Sequence, residues 1–338
     1  MKVLFIGGTG VISSACIEKA VQKGYEVYVY NRGSRNDGLP PNVRVLRGDI
    51  RDPKITEEVL GDFTFDVVVD WVAFTKEHVD RDIEFFSGRT GQYIFISSAS
   101  AYAKPPSGTF ITEGCLLGNP HWQYSRDKIA CEEQLVRAWR EKSFPVTIVR
   151  PSHTYGNMMI PSIFDRGSTI VDRIRKGREI IVPGDGVSRW TLTHNSDFAK
   201  GFVGLLGNPA ALGEAFHITS DEALTWDQIH RIIAARLGTE ARIVHIPADF
   251  ICRMYPEFTG PLKGDKIYTA LFDNTKIRRL VPEFHCTTPF HLGIEKSLRC
   301  LESRPELNVI NDDLNRKLDD LLARYKKIWD GTWDGAGR

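Results

Sequence analysis

The chain has 338 residues, enough to bury a large core as one elaborate α/β unit or as a large domain with a smaller partner. Its 44 Lys and Arg stand against 43 Asp and Glu, a formal charge of +1, which supplies no global field for nucleic acid and no polybasic tail for an anionic membrane. The six cysteines, at 16, 115, 131, 252, 286 and 300, show neither the CxxC spacing of a zinc module nor the density of a secreted scaffold, and no stretch approaches the roughly 20 apolar residues that span a bilayer, so reduced thiols, no metal and a cytoplasmic location are expected.

In chain order, KVLFI at 2–6 reads as a buried parallel strand. A helix over 12–23, strands over 26–30 and 43–46, a helix over 53–60, a strand over 65–70, a helix over 76–87 and a strand over 93–97 follow. Apolar runs separated by helical segments are what a doubly covered parallel sheet requires, because both of its faces are buried. The expected class is α/β, a Rossmann-type doubly wound parallel sheet with a smaller, discontinuous substrate-binding region. A helix pattern at 121–142 runs into a strand at 146–150, and residues 1–150 form the principal dinucleotide-binding region. Beyond Pro151 glycines and prolines loosen the pattern. Residues 151–306 are expected to cover the substrate, with helices near 196–206 and 226–237 and strands near 181 and 216 returning to the main sheet. From 307 to 338 a helical extension sets Leu314, Leu318, Leu321, Leu322, Tyr325 and Trp329 along one face, expected to pack on the chain's own surface.

The stretch GGTGVIS at 7–13 carries the first functional signal. A strand opening through Gly7, Thr9 and Gly10 onto a helix that begins with Val11 and Ile12 presents unpaired N–H groups and a positive helix end to a pyrophosphate. Ser13 stands where the usual spacing has a third glycine, and is small enough for close helix–strand packing. After the second strand, the carboxylate that binds ribose hydroxyls in NAD sites is missing. Asn31, Arg32, Ser34 and Arg35 stand there instead, so NADP(H) is favoured through guanidinium contacts to a 2′-phosphate, with NAD(H) left open. Asp49 and Ile50 are candidates for the adenine amine and ring face, and Ala73 permits close passage of the cofactor. Tyr124 and Lys128, four apart on a helix, share one face, where the ammonium can lower the phenol pKa and bind nicotinamide-ribose hydroxyls. Ser98, at the end of YIFISS, can donate to a carbonyl or alkoxide oxygen while Tyr124 transfers the proton.

With these residues in place the chain resembles the extended short-chain dehydrogenase/reductase family, in its NAD-dependent epimerase/dehydratase branch. The resemblance runs through GGTGVIS, GDI at 48–50, SSASAY at 97–102, YSRDK at 124–128, RPSHTYGN at 150–157, GDG with Arg189, and FDNTKIRRLVP at 272–282. It implies catalysis by Ser98, Tyr124 and Lys128, with Ser97 and Ser100 as fallbacks. Dehydratase-like members place an Asp-Glu pair after the catalytic Ser or Thr; here those positions are Ala99 and Ser100, so water elimination is not expected. His153 replaces the asparagine near the diphosphate of many sugar-nucleotide members, and Arg189 matches a phosphate-contacting arginine followed by Trp190. Thr75, Ser98, Ser100, Tyr124 and Lys263 complete the candidate substrate set, with Lys266 beside it, and Pro151 completes the cofactor set.

The expected reaction is epimerisation of a sugar nucleotide or sugar derivative by transient hydroxyl oxidation and hydride return. The alternative is an NADP(H)-dependent reductase or dehydrogenase of a sugar, lactone or small carbonyl. A cofactor-binding or RNA-associated protein that has lost this chemistry is a third, since some plastid RNA-binding proteins resemble this branch. The balanced charge and the intact Ser98, Tyr124 and Lys128 argue against it. The resemblance also implies a homodimer through the helices around 76–87 and 121–142 and a small-molecule substrate, while the balanced charge and the lack of a spanning stretch leave neither nucleic acid nor membrane expected as a partner.

Overall fold

In the computed structural model, which describes residues 1–34, 36, 38–157, 159–165 and 167–331, apolar runs become strands and amphipathic segments the helices between them. The first half comprises β1 (Lys2–Ile6), α1 (Val11–Gln22), β2 (Glu26–Asn31), β3 (Arg44–Arg47), α2 (Pro53–Leu60), β4 (Phe65–Asp70), α3 (Lys76–Phe86), β5 (Thr90–Ile96), α4 (Gln123–Lys142) and β6 (Val146–Pro151). Val3, Leu4 and Phe5 are wholly buried, as are Val67, Val68 and Val69. Such unbroken burial belongs to strands covered on both faces.

The second half adds β7 (His153–Tyr155), α5 (Ser168–Arg175), β8 (Glu179–Pro183), β9 (Arg189–His194), α6 (Asn195–Leu205) and β10 (Ala215–Ile218). It continues with β11 (Ala223–Thr225), α7 (Trp226–Arg236), β12 (Arg242–Ile246), α8 (Ala248–Met254) and the short helix α9 (Thr259–Pro261). A π-helical turn at Leu262–Lys266, α10 (Thr275–Leu280), α11 (Phe290–Ser303) and α12 (Asp312–Trp329) complete it.

The main sheet is parallel, with seven strands in the order β10-β6-β5-β4-β1-β2-β3. The order reverses between β1 and β4, which leaves a crevice outside the carboxyl ends of the strands, where ligands bind in open α/β sheets. Strand β10, near residue 216, returns to this sheet by pairing with β6. The strand near 181 does not: β8 pairs with β12 in a separate two-stranded sheet. Its fully apolar face suits either partner, and Ile180, Ile181 and Val182 are buried in the core of the second half instead.

That core is closed by α12, which contributes Leu314, Leu318, Leu321 and Leu322, with Tyr325 packed at its margin. Trp329, expected on the same face, lies beyond the end of the core and is 82% exposed. A buried arginine pins the helix. The buried Arg173 donates to Asn315 Oδ1 at 3.0 Å, to Asp319 Oδ1 at 2.9 Å and to the Glu179 carbonyl. Among the described residues no helix is long and apolar enough to cross a membrane.

Leu318→Ala, which empties a wholly buried site, is expected to lower the unfolding free energy by about 2–5 kcal/mol. Trp329→Ala is expected to change it by less than about 0.5 kcal/mol. Urea unfolding midpoints of the two variants check both.

Candidate functional site

The crevice between β1 and β4 is built from backbone. Gly7 and Gly8 adopt φ of +96° and +94°, and a Cβ at Gly7 would stand 3.0 Å from Val72 Cγ1. Only glycine occupies both positions without strain. The cleft holds about 420 Å³ and is lined by residues 7–13, Trp71, Val72, residues 96–98, Tyr124, Pro151, Ser152, Thr154 and Met159. Gly10 caps α1, and its N–H donates to Ser13 Oγ at 2.8 Å. Ser13 therefore does more than fit: its hydroxyl takes one of the helix's terminal donors. The indole nitrogen of Trp71, also on this wall, is buried without a hydrogen-bond partner among the described residues. A glycine cradle, a helix N-terminus and an orphaned donor fit the pyrophosphate and ribose of a dinucleotide.

At the end of β5 the chain turns through a short 3-10 segment, Ala99–Ala101, capped by Ser98, whose Oγ accepts from the Ser100 amide. Ser98, Ser100 and Ser125 form a chain of hydroxyls, at 2.9 Å for Ser98–Ser100 and 2.8 Å for Ser125–Ser100. Ser97 points the other way, donating to the buried Glu132, which pairs with Arg150 at 2.6 Å. Tyr124 reaches this turn from the first turn of α4. Burial raises its pKa, a hydrogen bond with Ser98 opposes the rise, and the Asp265 carboxylate adds to it.

Lys128, one turn further along α4, is 2% exposed. Its ammonium donates to the carbonyls of Ala73 at 2.6 Å and Ile96 at 2.8 Å and lies 4.6 Å and 4.7 Å from the ring centres of Phe74 and Phe95. Burial pushes its pKa down to about 8. Its Nζ lies 6.0 Å from the Tyr124 ring centre, and the influences that set the phenol's pKa are burial, Ser98 and Asp265. The Ala73 carbonyl is itself fixed, because Asp70 Oδ1 accepts from the amides of Val72 and Ala73 at 2.5 and 2.7 Å. Behind it Asp82, raised well above the carboxylate range by burial and by Asp70, takes a 2.5 Å hydrogen bond from Tyr93.

A second cavity, of about 610 Å³, opens beyond Tyr124. Ser98, Tyr124, Pro151, Ser152, Thr154 and Met159 line both spaces. Its remaining wall is Ala99, Ser100, Lys104, Trp122, His153, Trp190, Asp265, Lys266, Ala270 and Phe272.

The sequence profile of the NAD-dependent epimerase/dehydratase family matches residues 3–219, about two thirds of the chain. The chain belongs to this family. It is an enzyme of the extended short-chain dehydrogenase/reductase type. Among its relatives, 2′-dehydrokanamycin reductase of Streptomyces kanamyceticus is 24% identical over 286 residues, covering 84% of this chain and 80% of the relative. The chloroplast stem-loop binding protein of 41 kDa b of Arabidopsis thaliana is 28% identical, over 74% and 67% of the two chains. Among solved structures, UDP-glucose 4-epimerase of Thermotoga maritima superposes with a TM-score of 0.73 at 19% identity, covering 90% of this chain and all of that one. An epimerase of Methanothermobacter thermautotrophicus reaches 0.76 at 19% identity, over 91% and 94%.

Of the positions that the epimerase/dehydratase family pattern pointed to, Gly7, Thr9, Gly10, Val11, Ile12, Ser98, Tyr124 and Pro151 share the cofactor-side cleft, and Ser100 and His153 join Ser98 and Tyr124 around the second cavity. Others stand apart. Arg189 begins β9 with its side chain exposed, because strand alternation turns Trp190 inward to the cavity. Lys263 pairs with Asp249 at 2.6 Å outside the cavity wall, and Lys266 takes the inward place. Thr75 caps α3 and lines neither space. Ala73 lies behind Val72, which makes the wall. Asp49 serves its own turn, accepting from the Arg51 amide at 3.0 Å, and Ile50 lines a small hollow with Asp70 and Ala73. Asn31 binds the Gly33 amide and Asn36, while Arg32 and Ser34 are exposed. Arg35 lies outside the described residues. Sequence reasoning missed Trp71, Val72, Lys104, Trp122 and Asp265. Trp71 and Val72 carried a usable signal, since they directly follow β4 at the reversal of strand order.

The unfolded chain keeps a lysine proton to about pH 10.4, so between that value and about 8 the folded state binds fewer protons at Lys128 and gains stability as pH rises. Wild type is expected to gain unfolding free energy relative to Lys128→Met between pH 8 and 10, with a constant difference below pH 7. Urea melts of both proteins across that range measure it.

Proposed function

We propose that this enzyme is an NADP(H)-dependent reductase acting on a ketone of a sugar derivative. The observation that carries the reading is the meeting of Ser98 and Tyr124 on the wall shared by the two cavities. A carbonyl bound in the larger space would lie within reach of both hydroxyls and next to the glycine-walled cleft. A nicotinamide cofactor bound in that cleft would supply the hydride. Ser98 would donate to the carbonyl oxygen. Tyr124, held protonated by burial, would deliver the proton as the oxygen becomes an alkoxide. Lys128 would offer its third ammonium hydrogen to the cofactor ribose, the other two being taken by Ala73 and Ile96.

Two features turn the preference from epimerisation of a nucleotide sugar to net reduction. Arg189, the expected diphosphate contact, is exposed away from the cavity. At the end of β2, Asn31 stands where NAD sites carry a carboxylate and the exposed Arg32 follows it, which suits the phosphorylated cofactor that drives reductions. Epimerisation is the second reading, favoured by a cavity of about 610 Å³ in which a sugar ring has room to turn.

With ketosugars and sugar lactones as substrates, one NADPH is expected to be oxidised per product formed, and Tyr124→Phe is expected to slow turnover about 10²–10⁴-fold. An inverted stereocentre without net absorbance change at 340 nm would establish the epimerase instead. Arg32→Ala is expected to weaken NADPH binding about 10–100-fold while leaving NADH binding unchanged. Fluorescence titration of both cofactors tests this, and equal affinities in the parent protein would reject the preference.

A further inference from the structure

We infer that the cavity beside Ser98 and Tyr124 is built for a sugar carrying a carboxylate, held by Lys104 and Lys266. The inference rests on the reading of that cavity as the substrate site and narrows the substrate class. Two ammonium groups share its wall with one carboxylate. Lys104 Nζ lies 3.6 Å from Asp265 Oδ1, and Lys266 Nζ donates to Asp265 Oδ2 at 2.9 Å. The two lysine side chains are only 1% and 13% exposed. Neither has another acidic partner among the described residues, so the cluster has one formal positive charge in excess, and burial pulls the Lys104 pKa down, with Lys266 adding to the fall and Asp265 opposing it. A buried charge without a counter-charge is costly, and a bound anion removes that cost.

The hydrogen-bonding inventory points the same way. Each ammonium has three donors. Lys266 uses one on Asp265 and one on His153 Nδ1 at 3.1 Å, and among the described residues Lys104 has only its long contact with Asp265. Because His153 Nδ1 accepts, its proton sits on Nε2. Burial and Lys266 hold the imidazole neutral, so it adds no acceptor to the site. The wall thus offers donors in surplus, and the missing partner is an acceptor with one negative charge. A carboxylate matches that count. A diphosphate exceeds it, and Arg189, the residue that would balance a second charge, faces away.

The arrangement is preformed. Asn119 donates to the carbonyls of Ser100 at 3.0 Å and Gly264 at 2.7 Å, which ties the turn bearing Asp265 and Lys266 to the turn after β5. Lys266 also stacks 4.5 Å from the Trp190 ring centre, fixing its direction. Little ordering then remains to be done when the anion binds.

Calorimetry on the full chain tests this with D-glucuronate and D-galacturonate against D-glucose, D-galactose, their 6-phosphates and UDP-glucose. Each hexuronate is expected to bind at least 10-fold more tightly than its hexose. Lys104→Met and Lys266→Met are each expected to remove that advantage, while Lys263→Met keeps it. Asp265→Asn, which deletes the competing carboxylate, is expected to tighten hexuronate binding, so that the proposal stays testable if a lysine variant fails to fold. Equal affinity for acid and neutral sugar, tighter binding of a phosphate ester or of UDP-glucose, or full hexuronate affinity in folded lysine variants would overturn it. Binding is read without turnover. Hexuronate affinity in a protein that consumes no NADPH with any ketosugar or keto-hexuronate would reject the reductase and leave the anion site standing. NADPH consumption with neutral sugars that is insensitive to both lysines would do the reverse.

Discussion

The arrangement of this site depends on one buried cation. Lys128 has left water, and its charge is met by two backbone carbonyls and two aromatic faces in place of a carboxylate. Those carbonyls belong to different segments: Ala73 lies just past β4 and Ile96 ends β5. A single ammonium therefore fastens α4 to the carboxyl ends of two neighbouring strands and sets the rotation of the helix about its axis. Tyr124, four residues earlier on the same face, is thereby aimed at Ser98. Rotation of α4 by one residue would take the phenol off the wall between the cavities and leave the ammonium without acceptors, so strand ends and helix hold one another in place. The Asp70 carboxylate, gripping the amides at 72 and 73, extends the same constraint to the floor of the cofactor-side cleft.

The electrostatics of the two spaces differ in a way that follows from their builders. The cofactor-side cleft is mainly backbone, glycine loop and apolar side chains, with its polarity supplied by N–H groups. The larger cavity is made of long side chains, two of them cationic, with tryptophan and phenylalanine faces between. Tyr124 lies at the boundary, where loss of water and a nearby carboxylate keep its proton in place. The boundary between a dipolar wall and a charged one is where a carbonyl can be polarised without solvent competing for it.

Most of the main sheet was legible from sequence because a strand buried on both faces must be an unbroken apolar run, and the glycine turn and Tyr124–Lys128 spacing mark local geometry. The parts that escaped depend on distant packing. Ile180, Ile181 and Val182 are as apolar as any central strand, and nothing local says that Arg242–Ile246 is their partner. Arg189 and Trp190 differ by one position in strand phase, so assigning the inward role to either requires knowing which face β9 buries. Lys104 and Lys266 are brought together by a clamp through Asn119 across 145 residues of sequence, a juxtaposition that no spacing rule records. The spacing of Tyr124 and Lys128 showed that they share a helix face, yet the carbonyl acceptors of Lys128 were not legible, because backbone oxygens leave no trace in the identity of Ala73 or Ile96.

The core on the α1 face joins Val3 and Phe5 to Phe198 and Phe202 of α6, Phe216 of β10, and Ile277, Val281 and Phe284 around α10. For a chain emerging from the ribosome this has a kinetic consequence. When residue 150 has left the exit tunnel, β1 to β6 and α1 are available, but the cover from α6 and α10 on this side of the sheet is incomplete until residue 284 has followed. At ordinary elongation rates that interval is on the order of 10 s. Through that time the nascent chain presents a partly covered apolar sheet face, so the arrival of α6 and α10, more than the intrinsic speed of the βαβ units, times the burial of that face.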